Sequence, residues 1–226
     1  NEVSVLFSEC LSSCALAIMD ICNQYPEVLF TTVECTSDNF GTLIGEDPDR
    51  YFNFFKPCFN SADYGSNFGE MLRDLSQTDA VDFSNKTVAY IVEDTDAGRS
   101  CVSACEAALE EYCGGSETVA FEVVPVGTTD FYSQINKLKA LDPDVVMTYF
   151  VPLNSGVAYL KQAQELGAEW TNVGFVYGMK PDFIEQAGQA AEGLLWFPMM
   201  ADFEHDEKVI EFGNRVLEMF PKAGLT

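Results

Sequence analysis

The sequence predicts an α/β protein with doubly wound, mainly parallel sheets, and the order of its apolar segments supports this class. Short and very apolar runs, such as 88–92 and 145–147, alternate along the chain with segments of helical periodicity. Short apolar strands that alternate with helices are typical of a parallel sheet covered on both faces. With right-handed crossovers between the strands, this order of elements gives a doubly wound fold.

The predicted elements follow one another in a regular order. Strands are predicted at 3–7, 28–33, 87–92, 118–124, 144–149, 172–176 and 193–197. Helices are predicted between them at 11–24, 61–78, 98–112, 129–141, 154–167 and 181–188, with a last helix near 206–220. Gly114 and Gly167 mark the ends of two helices, Pro143 follows the end of a third, and Asp206 suits the N-cap of the last.

The composition indicates a chain that can bury a large core. Its 226 residues are 47% hydrophobic, with a mean hydropathy of +0.01. No apolar run approaches the roughly 18 residues needed to cross a bilayer, so we expect no membrane insertion of this segment. The net charge of −24, from 36 acidic and 12 basic residues, disfavours binding to nucleic acid and to anionic lipid.

Eight cysteines include two copies of the spacing C-x3-C-x7-C, at Cys10/Cys14/Cys22 and at Cys101/Cys105/Cys113. Residues four apart on a helix have Cβ atoms about 5–6 Å apart, whereas a disulfide needs about 3.8 Å, which argues against bridges within either triplet. A bridge between neighbouring loops, such as Cys10 to Cys35, is geometrically easier. Buried thiols, one or more disulfides and a metal site all remain open, although the sequence has no CxxC motif and only one histidine, His205.

No sequence motif calls for an enzyme or a cofactor. The chain has no GxGxxG, P-loop, GxSxG or HExxH pattern, and its single histidine lies in an acidic stretch. Asp94 and Asp96 could bind a cation or act as a general base, which keeps an enzyme as an alternative. Paired loop carboxylates are more often turn or cap residues.

The candidate binding residues follow the predicted strands. In doubly wound sheets, ligands bind beyond the carboxyl ends of the strands, where the loops converge. Polar candidates there are Ser12, Ser13, Glu34, Thr36, Ser37 and Asp94, and aromatic candidates are Tyr149, Phe150 and Tyr177. Hydroxyl groups that face aromatic rings are typical of a small-molecule cleft. The alternatives are helix capping for the serines and core packing for the aromatic residues.

Four segments in a fixed order carry a resemblance to a known family. They run from Lys86 to Gly98, from Gly127 to Val146, from Leu160 to Gly167 and from Pro181 to Gly193. From Lys86 to about Phe220 the chain resembles the type I periplasmic binding proteins, in the branched-chain amino-acid and amide-binding branch of ABC-transporter receptors. Residues 1–58 are similar more loosely, through the serine loop at Leu11–Ser13 and the second binding loop at Thr32–Ser37.

The resemblance implies two Rossmann-like lobes that close over a ligand by a hinge motion. Residues 1–58 and 198–226 would form the first lobe, which is expected to be incomplete, and residues 59–197 would form the second. The hinges would lie near Lys56–Phe59 and Phe197–Ala201. The implied function is an extracytoplasmic receptor that delivers a small molecule to the membrane permease of an ABC transporter.

Three further expectations come with the resemblance. A chain that begins inside a strand would have its signal or lipid anchor upstream of residue 1. A ligand-sensing domain of a signalling receptor with the same fold is the alternative function. Two positions depart from the family pattern, because Ala97 replaces a common tyrosine and Val176 replaces an acid that often pairs with an α-ammonium group. A free amino acid would then lack its countercharge unless Glu34 supplied it, so an amide, a carboxylate or an apolar aromatic compound is equally expected.

Overall fold

The computed structural model describes residues 3–8, 11–32, 35–78, 80–196 and 205–221. The strands are β1 (Val5–Phe7), β2 (Leu29–Thr31), β3 (Phe54–Phe55), β4 (Thr87–Glu93), β5 (Glu117–Val124), β6 (Val145–Phe150) and β7 (Thr171–Val176). The helices are α1 (Ser12–Cys22), α2 (Asn39–Glu46), α3 (Ser61–Ser76), α4 (Asp96–Cys113), α5 (Tyr132–Leu141), α6 (Leu153–Glu165), α7 (Phe183–Ala187) and α8 (Glu207–Met219). Every paired strand is parallel, which confirms the predicted fold class.

A small sheet with the strand order β1-β2-β3 forms one part of the molecule, together with α1 and α2. We call this part the three-stranded half. Its core contains Met19 from α1, Phe30 from β2, Phe40 from α2 and Phe54 from β3. The rings of Phe40 and Phe54 stack with their centroids 5.8 Å apart.

A second sheet has the order β5-β4-β6-β7 and, with α3 to α7, forms what we call the four-stranded half. The chain runs outward from β4 to β5, then crosses over β4 to reach β6 and β7. The strand order therefore reverses between β4 and β6. Crevices at such reversal points, beyond the carboxyl ends of the strands, are where ligands bind in open α/β sheets.

Two apolar cores cover the two faces of the four-stranded sheet. Tyr90 and Tyr149 belong to the core beneath α3 and α4, whereas Ile91 and Phe150 belong to the core beneath α5, α6 and α7. Consecutive residues of a strand point to opposite faces, and each face carries a helical layer. This double covering explains why these strands are apolar at nearly every position.

Two of the predicted helix ends, at Gly114 and Asp206, are confirmed by their local geometry. Gly114 ends α4 in the left-handed conformation at φ 69°, where a residue with a Cβ would be strained. The carboxylate of Asp206 accepts hydrogen bonds from the backbone of Lys208 at 2.9 Å and of Val209 at 3.3 Å. Each contact satisfies a backbone group that the end of a helix leaves without an internal partner.

The helices α3 and α4 pack unusually close together. A Cβ added to Gly65 would lie 2.4 Å from the carbonyl oxygen of Ala104, and one added to Gly69 would lie 3.0 Å from the Cβ of Ala108. Both glycines are buried on the face of α3 that meets α4. Because neither glycine has a Cβ, the two helix backbones can approach to this distance.

The structure differs from the predicted elements at three places. α2 and β3 were not predicted, since α2 contains two glycines and a threonine and β3 has only two residues. The strand predicted at 193–197 is reduced, among its described residues, to one isolated bridge between Val173 and Leu195. Among all the described residues, no helix is both long and apolar enough to cross a membrane.

Candidate ligand-binding cleft

A cleft lies where the carboxyl ends of the two sheets face each other. The cavity inside it has a volume of about 40 Å³ and opens to solvent. Its walls consist of hydroxyl-bearing, aromatic and aliphatic side chains and one lysine: Leu11, Ser12, Ser13, Thr36, Tyr64, Thr95, Ala97, Tyr149, Val151, Val176 and Lys180. The lining thus combines apolar walls with a few polar groups, as small-molecule sites do.

The three-stranded half contributes hydroxyl groups from two loops. Ser12 begins α1, and its Oγ accepts a hydrogen bond from the backbone N–H of Ser37 at 3.2 Å, which joins the two loops. The carbonyl of Thr36 accepts bonds from the backbone N–H of Ser61 at 2.6 Å and from its hydroxyl at 2.9 Å. Thr36 is therefore anchored to α3 through its backbone, while its hydroxyl remains at the cleft.

The four-stranded half contributes its strand-reversal point to the cleft. The Oγ1 of Thr95 accepts a bond from the backbone N–H of Gly98 at 3.0 Å and so caps α4. Ala97 follows in the first turn of the same helix and is buried. The small side chain of Ala97 lines the cleft together with Tyr64 and Tyr149, and all three belong to the same apolar core.

Aromatic rings form the wall opposite the hydroxyl groups. The ring of Tyr64 stacks on Phe175 with centroids 5.2 Å apart and meets Tyr149 edge-on at 6.2 Å. Tyr64 and Tyr149 are both only 3% exposed. Packed rings of this kind are held in one orientation, so they present a fixed apolar surface to the cleft.

A buried carboxylate holds the loops beneath this wall. Glu93, the last residue of β4, accepts bonds from the backbone N–H of Gly127 at 3.0 Å and of Val151 at 2.9 Å. Burial raises the pKa of Glu93 above its ordinary value, although the two N–H donors act in the opposite direction. Since Val151 lines the cleft, Glu93 positions part of the wall without touching the cavity itself.

Lys180 is the one charged side chain that lines the cleft among the described residues. It follows a short 3-10 turn, Tyr177–Met179, which directly continues β7. Val176, at the end of β7, has φ 74°, a conformation that is strained for a β-branched residue. Such strain is found most often at functional sites, and here it turns the chain so that both Val176 and Lys180 line the cleft.

Polar contacts join the two halves around the cleft. The hydroxyls of Thr36 and Tyr149 lie 3.4 Å apart. Next to them, the Oγ of Ser100 donates to the Asp38 carboxylate and accepts from the Asp38 backbone N–H, both at 3.2 Å. The two halves are thus in direct contact through side chains of α2 and α4 and of the loops at the cleft.

The structure brings five of the predicted residues together at the cleft: Ser12, Ser13, Thr36, Ala97 and Tyr149. Phe150 lies in the other core because it follows Tyr149 in β6 and must point to the opposite face. Tyr177 is fully buried in that core too, where its ring fills the space left by Gly156 and its hydroxyl lies 2.8 Å from that of Thr148.

Two other predicted residues, Asp94 and Ser37, lie outside the lining. The carboxylate of Asp94 is exposed and binds Arg99 at 2.8 Å, so it acts locally. Ser37 is fully buried, and its Oγ accepts from the backbone N–H of Asn39 at 3.3 Å. Glu34 lies outside the described residues, as does the expected hinge at 197–201.

Sequence reasoning missed Tyr64 and Lys180. Tyr64 lies within α3, where nothing in the sequence separates a ring that lines a cleft from an ordinary core residue. Lys180 falls in the loop 175–181, which the predicted strand order does place at the carboxyl edge of the sheet. Its positive charge in that loop was the available signal. Among the described side chains, no group of three or more His, Cys, Asp or Glu residues could hold a metal ion.

Comparison with known proteins places this fold in a family. The sequence profile of the periplasmic binding protein family matches residues 1–225. No curated protein gives a significant match. Similar solved structures are a benzoate-bound ABC-transporter solute-binding protein from R. palustris (16% identity, TM-score 0.75) and a valine-bound branched-chain amino acid ABC transporter protein from Thermus thermophilus (20% identity, TM-score 0.70).

A third similar structure is the leucine-, isoleucine-, valine-, threonine- and alanine-binding protein from Brucella ovis in a closed conformation (18% identity, TM-score 0.76). The alignments cover 96%, 98% and 96% of this chain and 56%, 53% and 54% of the R. palustris, T. thermophilus and B. ovis chains. The chain therefore spans little more than half the length of these structures. Because the family profile covers almost all of its residues, this chain belongs to the periplasmic binding proteins and has their type I fold.

Proposed function

We propose that this chain is the ligand-binding part of an extracytoplasmic solute receptor that serves the membrane permease of an ABC transporter. The observation that carries the proposal is the cleft itself, in which Ser12 and Thr36 from the three-stranded half face Tyr64 and Tyr149 from the four-stranded half. Family membership agrees with a binding role. The ligand would be captured as the two halves close, with the connection at 56–59 as one hinge.

The charges that line the cleft favour a carboxylate ligand without an ammonium group. Lys180 supplies a positive charge, and no acidic side chain lines the cleft among the described residues. The first backbone N–H groups of α1 and the hydroxyls of Ser12, Ser13 and Thr36 can bind carboxylate oxygens. An α-ammonium group enclosed beside Lys180 would be repelled by the positive charge of the lysine. It would also be buried without a countercharge, which is costly.

The remaining lining favours an apolar or aromatic body on that carboxylate. Tyr64, Tyr149, Val151 and Val176 together present rings and methyl groups to the cavity. Burying such a body contributes about 25 cal/mol per Å² of apolar surface removed from water. The similar proteins from R. palustris and Thermus thermophilus bind benzoate and valine, respectively, so both chemical classes belong in the test.

A matched set of ligands tests this proposal. Isothermal titration calorimetry should compare 4-methylpentanoate, leucine and 4-methylpentanamide, which share one carbon skeleton, and then benzoate with benzamide. We expect each carboxylate without an ammonium group to bind at least about tenfold more tightly than its partners, since hydrogen bonds to a charged group are worth about 1.5–3 kcal/mol. Leucine that binds as tightly as 4-methylpentanoate would contradict the ligand class, and no binding by any compound would contradict the function.

The role of Lys180 is tested by a matched pair of variants. Lys180→Met should weaken carboxylate binding by about tenfold or more and leave amide binding nearly unchanged. Lys161→Met, which removes an exposed lysine on α6 outside the lining, is the control. Equal losses in both variants would show that only the net charge of the protein matters.

A further inference from the structure

Two cysteines lie together at the point where the cleft meets the connection between the halves. Cys35 directly precedes Thr36, and Cys58 lies between β3 and α3. The Sγ of Cys58 is 3.2 Å from the backbone nitrogen of Cys35 and 3.2 Å from its carbonyl oxygen. Cys35 is fully buried, and its own Sγ accepts a bond from the hydroxyl of Thr32 at 2.6 Å.

The separation of these residues suits a disulfide. A sulfur that touches both ends of the Cys35 backbone keeps the two Cα atoms within about 7 Å of each other, close to the 4.4–6.8 Å range of disulfides. Formation of the bond would require the Cys58 sulfur to leave the backbone of Cys35 by rotation about χ1. Cys101 and Cys105 provide a contrast, because they are four residues apart on α4 and the helix holds their Cβ atoms about 5–6 Å apart.

Both segments that carry the cysteines are already held in place. The Nζ of Lys56 donates to the carbonyl of Cys58 at 3.2 Å, to the carbonyl of Phe59 at 2.9 Å and to Asn60 at 2.6 Å. The backbone of Thr36 is bound to Ser61, as described above. A bridge between Cys35 and Cys58 would therefore join two positioned segments rather than two mobile ones, which lowers the strain that oxidation would introduce.

We propose that Cys35 and Cys58 form a disulfide that fixes the Thr36 loop to the connection preceding α3. The proposal rests on the extracytoplasmic location of the proposed function, since disulfides persist in oxidising compartments. In the reaction the two thiols lose two protons and two electrons and form one S–S bond. The oxidant is another disulfide, such as oxidised glutathione or that of an oxidoreductase, which is reduced to two thiols.

The bridge acts on the cleft through Thr36. It closes the segment 35–58 covalently, so the unfolded chain loses conformational freedom and the native loop is stabilised. The hydroxyl of Thr36 is then held facing that of Tyr149 before a ligand arrives. A binding group that is already in place needs no ordering on association, so oxidation should tighten ligand binding.

Peptide mapping of the intact protein tests the bridge directly. The protein is equilibrated in a buffer of oxidised and reduced glutathione, alkylated, digested without reduction and analysed by mass spectrometry. We expect a linked peptide pair that contains Cys35 and Cys58, and that splits on reduction. Alkylation of both residues before reduction, or linkage of either one to another cysteine such as Cys10, would overturn the proposal.

Thermal unfolding gives a second readout. Dithiothreitol should lower the Tm of the oxidised protein by about 5–10 °C. Cys58→Ser should show the lower Tm with or without the reductant, whereas Cys113→Ser, at a similarly half-buried cysteine on α4, should keep the full effect of reduction. Equal effects of reduction on Cys58→Ser and on the unsubstituted protein would contradict the assignment.

The two proposals fail separately. Mapping requires no ligand, so a missing bridge leaves the receptor function intact. A protein that forms the bridge in the glutathione buffer but binds none of the carboxylates or amides would keep the disulfide and lose the receptor.

Discussion

The loops that line the cleft are held in position by different interactions in the two halves of the molecule. In the four-stranded half the strands have six to eight residues, the central strands β4 and β6 are buried on both faces, and packing does most to fix the loops at their ends. In the three-stranded half, strands have only two or three residues, and β1 is exposed along its whole length. There, hydrogen bonds from single side chains take over. The candidate cleft thus has one wall held mainly by packing and one held mainly by polar contacts.

The largest contrast should come from one substitution in each half. Gly156→Ala places a Cβ 2.3 Å from the ring of Tyr177, which is fully buried, so we expect a loss of about 3 kcal/mol in the free energy of unfolding. Gly45→Ala in α2 meets nothing within 4 Å and should be neutral or gain up to about 1 kcal/mol. Urea unfolding measures both, and similar losses would break the comparison.

The next effect concerns a polar anchor in the three-stranded half. The Nδ2 of Asn53 lies 3.0 Å from the carbonyls of Cys22 and Tyr25 and 2.9 Å from that of Val28, and so ties the end of α1 to the start of β2. Asn53→Ala removes this donor from all three carbonyls, although those of Cys22 and Tyr25 keep a backbone partner, and should cost about 2 kcal/mol. Asn154→Ala, at an exposed position of α6, should change the free energy of unfolding by less than about 0.5 kcal/mol.

Glu93 is the exception in the four-stranded half, because there a polar side chain holds the loops. Glu93→Gln keeps the shape but turns an amide donor toward a backbone N–H, and should cost about 1 kcal/mol at acidic pH. The pKa of Glu93 in the folded protein is raised above its ordinary value of 4.5. The contribution of the neutral carboxyl group to stability is therefore fully present below pH 4.5 and is lost as the pH rises through the folded-state pKa. The stability advantage of Glu93 over Gln should therefore shrink from pH 4 toward neutral pH. An advantage that grows over this range would contradict the assigned direction.

The smallest effect on stability should come from the contact between the halves. Ser100→Ala removes both bonds to Asp38, which lie near the surface, and should lower the free energy of unfolding by less than about 0.5 kcal/mol. If closure of the halves accompanies binding, ligand affinity should fall by about two- to fivefold. Ser103→Ala, at an exposed position of the same helix, is the control for calorimetric titration. An equal fall in affinity in this control would contradict a role of the Ser100–Asp38 contact in ligand binding.

The sequence predicted the four-stranded half better than the three-stranded half for a physical reason. Strands such as β4 and β6 are buried on both faces, so nearly every residue reports burial. The two-residue strand β3 is too short to show any period, and α2 depends on the packing of Phe40 rather than on helix propensity. Tertiary contacts determine the structure in this region, and such contacts cannot be recognised from the local sequence.

The predicted site does not follow this division, because its wrong residues lie in the four-stranded half. Ser12 and Thr36 were found because polar residues after predicted strands converge at one edge of a sheet. Phe150 and Tyr177 were assigned to the cleft although one lies on the opposite face of β6 and the other is turned inward after the strained Val176. Facing within a loop is set by backbone dihedral angles, which residue type alone does not specify for valine or tyrosine.

The near-contact of the α3 and α4 backbones at Gly65 and Gly69 has a mechanical consequence for recognition. Two helices whose main chains touch cannot rock against each other, so Tyr64 on α3 and Thr95 at the start of α4 should keep one spacing whichever solute is present. This side of the cleft should therefore behave as a rigid wall. Because Thr36 is itself anchored to α3 through Ser61, a ligand of different width would have to be accommodated by displacement of α1, which begins with Ser12 and Ser13, and selectivity for size would depend on how far α1 can move.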